Sequence, residues 1–255
     1  MPPTSTSRRE YGIPISASEP FSLFERDTDL KQHASYKTAK AGNEQAAFIL
    51  LKELALHFLI GIKGKLPKEA IFVAPFARES GGDNAIPQVL ATFCQSIFGG
   101  EVDNDIVQAT RVFHTGADPM ERLAMRPEFE GRVRPQQPYV LVDDVTNMGG
   151  TLAELANHIQ QQGGTVAAII VLVNAGRLKH LAPDKTIIGK LERRYPNEII
   201  NLFHICPHAL TANEAQYLIG FKTADEIRNR RTKATQEIHR RLRSKGVELA
   251  AGDDG

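Results

Sequence analysis

Apolar residues recur at helical spacing from about Asn43, through Ala46, Phe48, Ile49, Leu51, Leu54, Phe58 and Leu59, and the run stops at Gly61 or Gly64. That pattern predicts an amphipathic helix ended by glycine. Ala70-Ile71-Phe72-Val73-Ala74 has no such period and is a short continuous apolar run, the signature of a strand buried on both faces. Further along, the pattern predicts a helix from Ile86 to Phe98 and a buried strand over Tyr139–Val142. A helix follows with Leu152, Leu155, Ala156 and Ile159 on one face, and then a central strand over Val166–Val173, entered from the turn at Gly163-Gly164. This strand–helix alternation from 70 to 173 implies an α/β protein with a mainly parallel sheet and right-handed crossovers. Ahead of it, the scattered apolar positions Ile13, Ile15, Phe21, Leu23 and Phe24 fit an edge strand or hairpin, and residues 1–11 read as a disordered arm or one laid on a neighbour. Between Glu101 and Arg134 the periodicity fails, so this segment reads as poor core and, by its length, as a lid.

Chemistry is densest over 138–155, PYVLVDDVTNMGGTLAEL. The order is strand, the acids Asp143 and Asp144, a polar turn with Gly149-Gly150, Thr151, then a helix. Glycines let backbone N–H groups close round an anion, and the first helical turn adds unpaired donors and the positive end of its dipole. Carboxylates at the C-terminal end of a strand sit at the crevice where open α/β sheets bind ligands. There they can accept from ribose hydroxyls or hold Mg²⁺ through water. A phosphate at one end and vicinal hydroxyls at the other describe a ribose 5-phosphate. The competing reading is an ordinary strand–turn–helix with an acid pair. The stretch lacks the Gly-Lys-Ser/Thr of a P-loop, and its acids precede the glycines, unlike a dinucleotide fingerprint.

VLVDDVTNMGGTL resembles the phosphoribosyl-pyrophosphate (PRPP) motif of type I phosphoribosyltransferases. The resemblance implies that fold: a mainly parallel sheet flanked by helices, here with a helical C-terminal extension. It further implies a Mg²⁺-dependent pentosyltransferase moving the 5-phosphoribosyl group to a small-molecule acceptor. Asp143 and Asp144 would hold the ribose hydroxyls and the metal, and Asn147, Met148, Gly149, Gly150 and Thr151 would wrap the 5-phosphate. Met148 stands where the family usually has Thr or Ser, which removes a hydroxyl donor and leaves the backbone donors and Thr151. The loop after the first buried strand, with Arg78, Glu79, Ser80 and Gly81, matches the family's pyrophosphate loop. Arg111, at the end of a strand-like run in the lid, is the arginine placed to close on the leaving group as a catalytic residue.

Within that group the arrangement is similar to the ComF family of competence-associated proteins, over residues 35–177. The similarity rests on Ser35-Tyr36-Lys37, Pro75, Arg78, Gly82-Asp83-Asn84, Arg111, Glu121-Arg122-Leu123 and the acid pair. The family's cysteine-rich zinc module and the glutamine of its lid segment are missing. Asn147 replaces an acid found in some purine-salvage relatives, and no general base is evident. This leaves a rival reading, a non-catalytic PRPP- or nucleotide-binding regulatory or DNA-processing (competence-like) protein that uses its basic C-terminal helix for nucleic acid. Type I relatives often dimerise, so a homodimer is implied.

Composition changes this picture little. The chain has 255 residues, net charge +1 and two cysteines, Cys94 and Cys206, with no apolar run long enough to span a bilayer, which points to a reduced, cytoplasmic protein with no membrane partner. The local charge is more informative. Thr211-Ala212-Asn213-Glu214 and Thr223-Ala224-Asp225-Glu226 are capping boxes, and the helix opened by the second carries eight Lys/Arg against Glu237 over 227–246. Such a helix is a candidate nucleic-acid contact, against the commoner solvated helix packed through a thin stripe. His204, Cys206 and His208 alternate, which invites a metal reading that a loop with incidental His and Cys outweighs. The expected layout is an arm (1–37), a phosphoribosyltransferase core (38–177), a connecting segment (178–210), a basic helical extension (211–246) and a disordered tail (247–255).

Overall fold

The computed structural model describes residues 7–76, 84–109 and 117–244, the last four by backbone alone. In chain order the elements are β1 (Phe21–Phe24), α1 (Asp27–Lys31), α2 (Tyr36–Lys40), α3 (Glu44–Leu54), α4 (Leu56–Gly61), β2 (Ile71–Val73), α5 (Ile86–Phe98) and β3 (Glu101–Val102). Next come β4 (Val107–Gln108), α6 (Pro119–Ala124), β5 (Phe129–Glu130), β6 (Pro138–Thr146), α7 (Gly150–Gln161) and β7 (Thr165–Asn174). The last helices are α8 (Lys185–Arg194), α9 (Glu198–Phe203), α10 (Ala212–Ile219) and α11 (Ala224–Ser244).

Five strands form one sheet in the order β1-β7-β6-β2-β3, and every neighbouring pair is parallel. The expected fold class, a mainly parallel sheet flanked by helices with a helical C-terminal extension, is the one observed. Both faces are covered because side chains alternate along each strand. Val140 and Val142 of β6 pack with Leu50, Leu51, Leu90 and Ala91 of α3 and α5. Tyr139 and Leu141 point the other way, onto Leu152, Leu155 and Ile159 of α7.

Two local expectations are corrected. The long helical pattern from Asn43 is two helices, α3 and α4, with the break at Ala55. The arm is not loose where it is described: Arg9 pairs with Ile205 in a short parallel bridge, and Asn157 accepts the N–H groups of Glu10 and Tyr11 at 2.9 Å. The region 12–37 does supply an edge strand, β1, on β7.

Where it is described, the segment 101–134 is not poor core. Met120 and Leu123 of α6 are buried in a third apolar cluster with Leu191 of α8, its C-cap Tyr195, Ile199 and Phe203 of α9, and Ile227 and Ala234 of α11. Apolar periodicity is hard to see in a helix of six residues, and its partners lie far along the chain. Residues 178–210, expected as a connection, contain α8 and α9 and supply part of that cluster.

Candidate functional site

The strand carrying the acids is longer than its apolar run. β6 continues through both aspartates to Thr146, because its backbone stays paired with β7 in the register Asp143↔Val171 and Thr146↔Asn174. Alternation then separates the acids. Asp143 shares the face of Leu141, towards α7, and Asp144 shares the face of Val142, towards α2 and α5. Only Asp143 lines the small cavity, about 50 Å³, beside the glycine turn. Burial pushes its carboxyl well above the usual carboxylate range, and Asp144 next door adds to that.

Asp144 is held from three directions. Its Oδ2 accepts from Lys40 Nζ at 2.6 Å and Asn84 Nδ2 at 2.9 Å, and its Oδ1 accepts from Val145 N–H at 2.9 Å. The backbone sets up this convergence, since Ala85 N–H donates to the carbonyl of Ala39 and thereby ties the start of α5 to the end of α2. Asn84 is oriented from its other end, where its Oδ1 accepts Ile86 N–H at 3.2 Å. The Lys40 ammonium is pulled down by burial, but Asp144 more than reverses this and its pKa is raised.

The turn after β6 has the geometry its glycines suggest. Gly149 takes φ 78°, the left-handed region, as the N-cap of α7. A Cβ there would also stand 2.9 Å from Leu181 Cδ2 and 3.3 Å from Thr211 Cγ2. At Gly150 it would stand 3.1 Å from Glu214 Oε1. The extension therefore packs directly on the turn. Thr211 Oγ1 donates to the Met148 carbonyl at 2.5 Å, and the Thr211–Glu214 capping box forms as expected. The second box forms in part: Thr223 Oγ1 accepts Glu226 N–H, while Glu226 takes the N–H of Lys222.

Behind the turn lies a buried cluster of two arginines and two glutamates. Arg9 Nη2 donates to Glu214 Oε2 at 2.6 Å, Arg126 Nη1 donates to Glu154 Oε1 at 2.7 Å, and Arg9 Nε lies 3.5 Å from the same Glu154 oxygen. Arg9 is fully buried. Burial raises the Glu154 carboxyl even though Arg9 and Arg126 both pull it down. Arg122 and Arg126 also line the small cavity.

A second, larger cavity of about 590 Å³ shares Asn147 and Met148 with the first. It is mostly apolar, with Tyr217 and Phe221 from the α10 region, and its polar lining is Asn147, Arg177, Asn213 and Gln216.

Several expected site residues come together: Asp143, Asn147, Met148, Gly149, Gly150 and Thr151 all line the small cavity. Arg78, Glu79, Ser80, Gly81 and Arg111 lie outside the described residues. His204, Cys206 and His208 take separate partners: the His204 carbonyl accepts Arg9 N–H, Cys206 Sγ accepts from Arg8 Nε, and His208 Nε2 meets the Glu10 carbonyl. Among the described residues no group of three or more His, Cys, Asp or Glu is arranged to hold a metal, and no helix is long and apolar enough to cross a membrane.

The acid pair does not fit a directly bound Mg²⁺. Three of its four oxygens already accept hydrogen bonds, and an ammonium occupies the approach to Asp144.

Sequence comparison brings in two curated proteins. Protein TraN of Escherichia coli is 34% identical over 219 residues, covering 84% of this chain and 49% of TraN. An uncharacterized protein of Haemophilus influenzae is 37% identical over 135 residues, covering 51% of this chain and 30% of that protein. The chain thus spans about half the length of one curated relative and under a third of the other. No protein-family model matches. Among solved structures, a purine phosphoribosyltransferase from Pyrococcus horikoshii aligns at 18% identity and TM-score 0.28, covering 53% of this chain and 76% of that one. Adenine phosphoribosyltransferase from Leishmania donovani aligns at 12% identity and TM-score 0.33, covering 60% and 84%. The AQ2163 protein from Aquifex aeolicus aligns at 13% identity and TM-score 0.36, covering 69% and 82%.

Sequence reading missed Lys40, Arg9, Glu154 and Glu214 as neighbours of the site. The Thr211–Glu214 box was visible as a helix start, but nothing in its spacing says that the helix begins against the glycine turn.

Proposed function

We propose that this chain binds PRPP at the C-terminal end of β6 and transfers its phosphoribosyl group to a small acceptor seated in the larger cavity. The observation that carries the reading is the junction at 143–151: an acid at the rim of a parallel strand, a left-handed glycine and a helix N-terminus, all facing one cavity. The α7 N-terminus supplies dipole and unpaired N–H donors to the 5-phosphate. Asp143 accepts from the ribose. A nucleophilic atom of the acceptor attacks the anomeric carbon as the bond to pyrophosphate breaks, with inversion. The positive charge that develops on the ribose ring is stabilised by the nearby carboxylates. Arg78, Glu79, Ser80, Gly81 and Arg111 are assigned to pyrophosphate on the family resemblance alone.

The shared wall of the two cavities favours this arrangement, because Asn147 and Met148 line both and an acceptor lying on Met148 borders the turn. Saturation with PRPP at about a hundred times its dissociation constant is expected to add roughly 2.7 kcal/mol of stability. A thermal melt reads that shift, and pyrophosphate release against a panel of nucleobases then reads turnover. A melt unmoved by PRPP at millimolar concentration would sink the proposal.

One observation favours a second reading, binding without turnover. Among the described residues, the larger cavity presents amides, Arg177 and a tyrosine whose phenol is raised by burial, and no carboxylate or histidine to take an acceptor proton. PRPP stabilisation with no pyrophosphate release for any acceptor would decide for it.

In that reading α11 supplies a nucleic-acid contact. Within the chain, however, Arg230 pairs with Asp118, Arg228 with Asp225 and Glu198, and Arg240 with Glu237, while Ile227, Ala234 and Ile238 are buried. The quadruple variant Arg230→Gln, Arg231→Gln, Arg240→Gln, Arg241→Gln is expected to leave PRPP binding within about twofold of wild type. If α11 contacts phosphates, it also lowers the salt slope of DNA binding by up to about four. No DNA binding by the wild type at low salt assigns α11 to packing alone.

A further inference from the structure

We infer that Lys40 is the built-in cation of the acid pair, so that the ribose end of the site works without a divalent metal. This rests on the ribose 5-phosphate reading above and concerns the same acids.

The argument is geometric. Lys40 Nζ lies 2.6 Å from Asp144 Oδ2, with the lysine side chain 40% exposed and the aspartate side chain 6% exposed. The ammonium therefore covers the open side of a buried carboxylate, and Asn84 Nδ2 completes the same oxygen at 2.9 Å. Both donors are fixed by backbone contacts, since Ala85 N–H on the Ala39 carbonyl joins the segments that carry them. A divalent ion seeking Asp144 has to displace a charge-assisted hydrogen bond and leave Lys40 unpaired beside it, a like-charge arrangement. A direct ligand to Asp144 also competes with Asn84 and the Val145 N–H, which hold its two oxygens. What the ammonium supplies is neutralisation of one of two adjacent carboxylates, and it does so permanently. Asp144 stays aimed, and Asp143 is left as the group that lines the cavity.

Ribose 5-phosphate is the probe, because it lacks the pyrophosphate that chelates metal in solution. Wild-type affinity, measured by calorimetry on the full chain, is expected to stay within about twofold when EDTA is replaced by millimolar Mg²⁺. Lys40→Met is expected to bind at least about tenfold more weakly in EDTA and to recover with Mg²⁺, while Lys40→Arg keeps the wild-type behaviour. A second measurement needs no sugar. Mn²⁺ spectroscopy is expected to show bound ion in Lys40→Met and none at the acids of the wild type. Far-UV dichroism confirms that the variants are folded.

Three results would each overturn the inference: a wild type that binds ribose 5-phosphate only with Mg²⁺, a Lys40→Met protein indifferent to EDTA, or wild-type Mn²⁺ binding that Asp144→Asn removes. Failure of ribose 5-phosphate to bind under any condition counts against the PRPP reading instead, and the manganese measurement still decides the role of Lys40.

Discussion

Asp143→Asn combined with Asp144→Asn is expected to abolish stabilisation by PRPP, with a loss in affinity of about a hundredfold or more. A hydrogen bond to a charged group contributes roughly 1.5–3 kcal/mol, and the double variant loses both the Asp143 contact to the ribose and the Lys40–Asp144 pair that orders the site beside it. The single variant Asp143→Asn separates binding from folding. Burial, and then Asp144, raise the Asp143 carboxyl above its unfolded value. A raised acid contributes stability that is fully present below the unfolded pKa and lost as pH rises through the folded one. At neutral pH, above the unfolded pKa, the unliganded wild type therefore carries the cost of that raised carboxyl. Asparagine removes that cost, and its Oδ1 can still accept the Asp144 N–H that Asp143 holds at 2.8 Å. The variant should melt several degrees above wild type at neutral pH, and the gap should close in mild acid. Melts across that pH range check the sign. A variant no more stable than wild type at neutral pH contradicts the burial argument, and an unchanged PRPP shift contradicts the ribose assignment.

The second large effect belongs to the buried arginine. Arg9→Met is expected to destabilise the protein by about 3–5 kcal/mol, the range for leaving a buried charge without its partner. Arg9 is fully buried, its Nη2 is on Glu214 at 2.6 Å, and Glu154 lies at 3.5 Å from its Nε. Without it, two buried carboxylates share Arg126. For a chain of this size that corresponds to a fall in melting temperature of roughly 10 °C. Arg8→Met, at a side chain 50% exposed, is the control and should stay within about 0.5 kcal/mol. Pairing Arg9→Met with Glu214→Gln should recover part of the loss, since the stranded charge is then removed. A single variant melting within about a degree of wild type would show that the cluster is not held by Arg9. The site feels this cluster because Glu214 stands against Gly150 and opens α10, whose cap residue Thr211 holds the Met148 carbonyl.

What the sequence determined by itself was local. Continuous apolar runs marked β2, β6 and β7, helical spacing marked α3, α5 and α7, and two capping boxes marked α10 and α11. Gly149 could be read as a turn because only glycine takes φ 78° without strain. These signals are short in range: periodicity and turn chemistry depend on neighbours a few residues apart. The end of β6 was misplaced at Val142, because the pairing that carries it through the acids comes from β7 and not from apolar side chains. Tertiary structure alone decided that Lys40 and Asn84 meet on one carboxylate oxygen 104 and 60 residues away from it in sequence. It also decided that α6 is buried under α11, and that Arg9 reaches Glu214 across 205 residues. A charged residue has the same local pattern whether it is solvated or buried against a distant partner, and only the packing of the chain distinguishes the two.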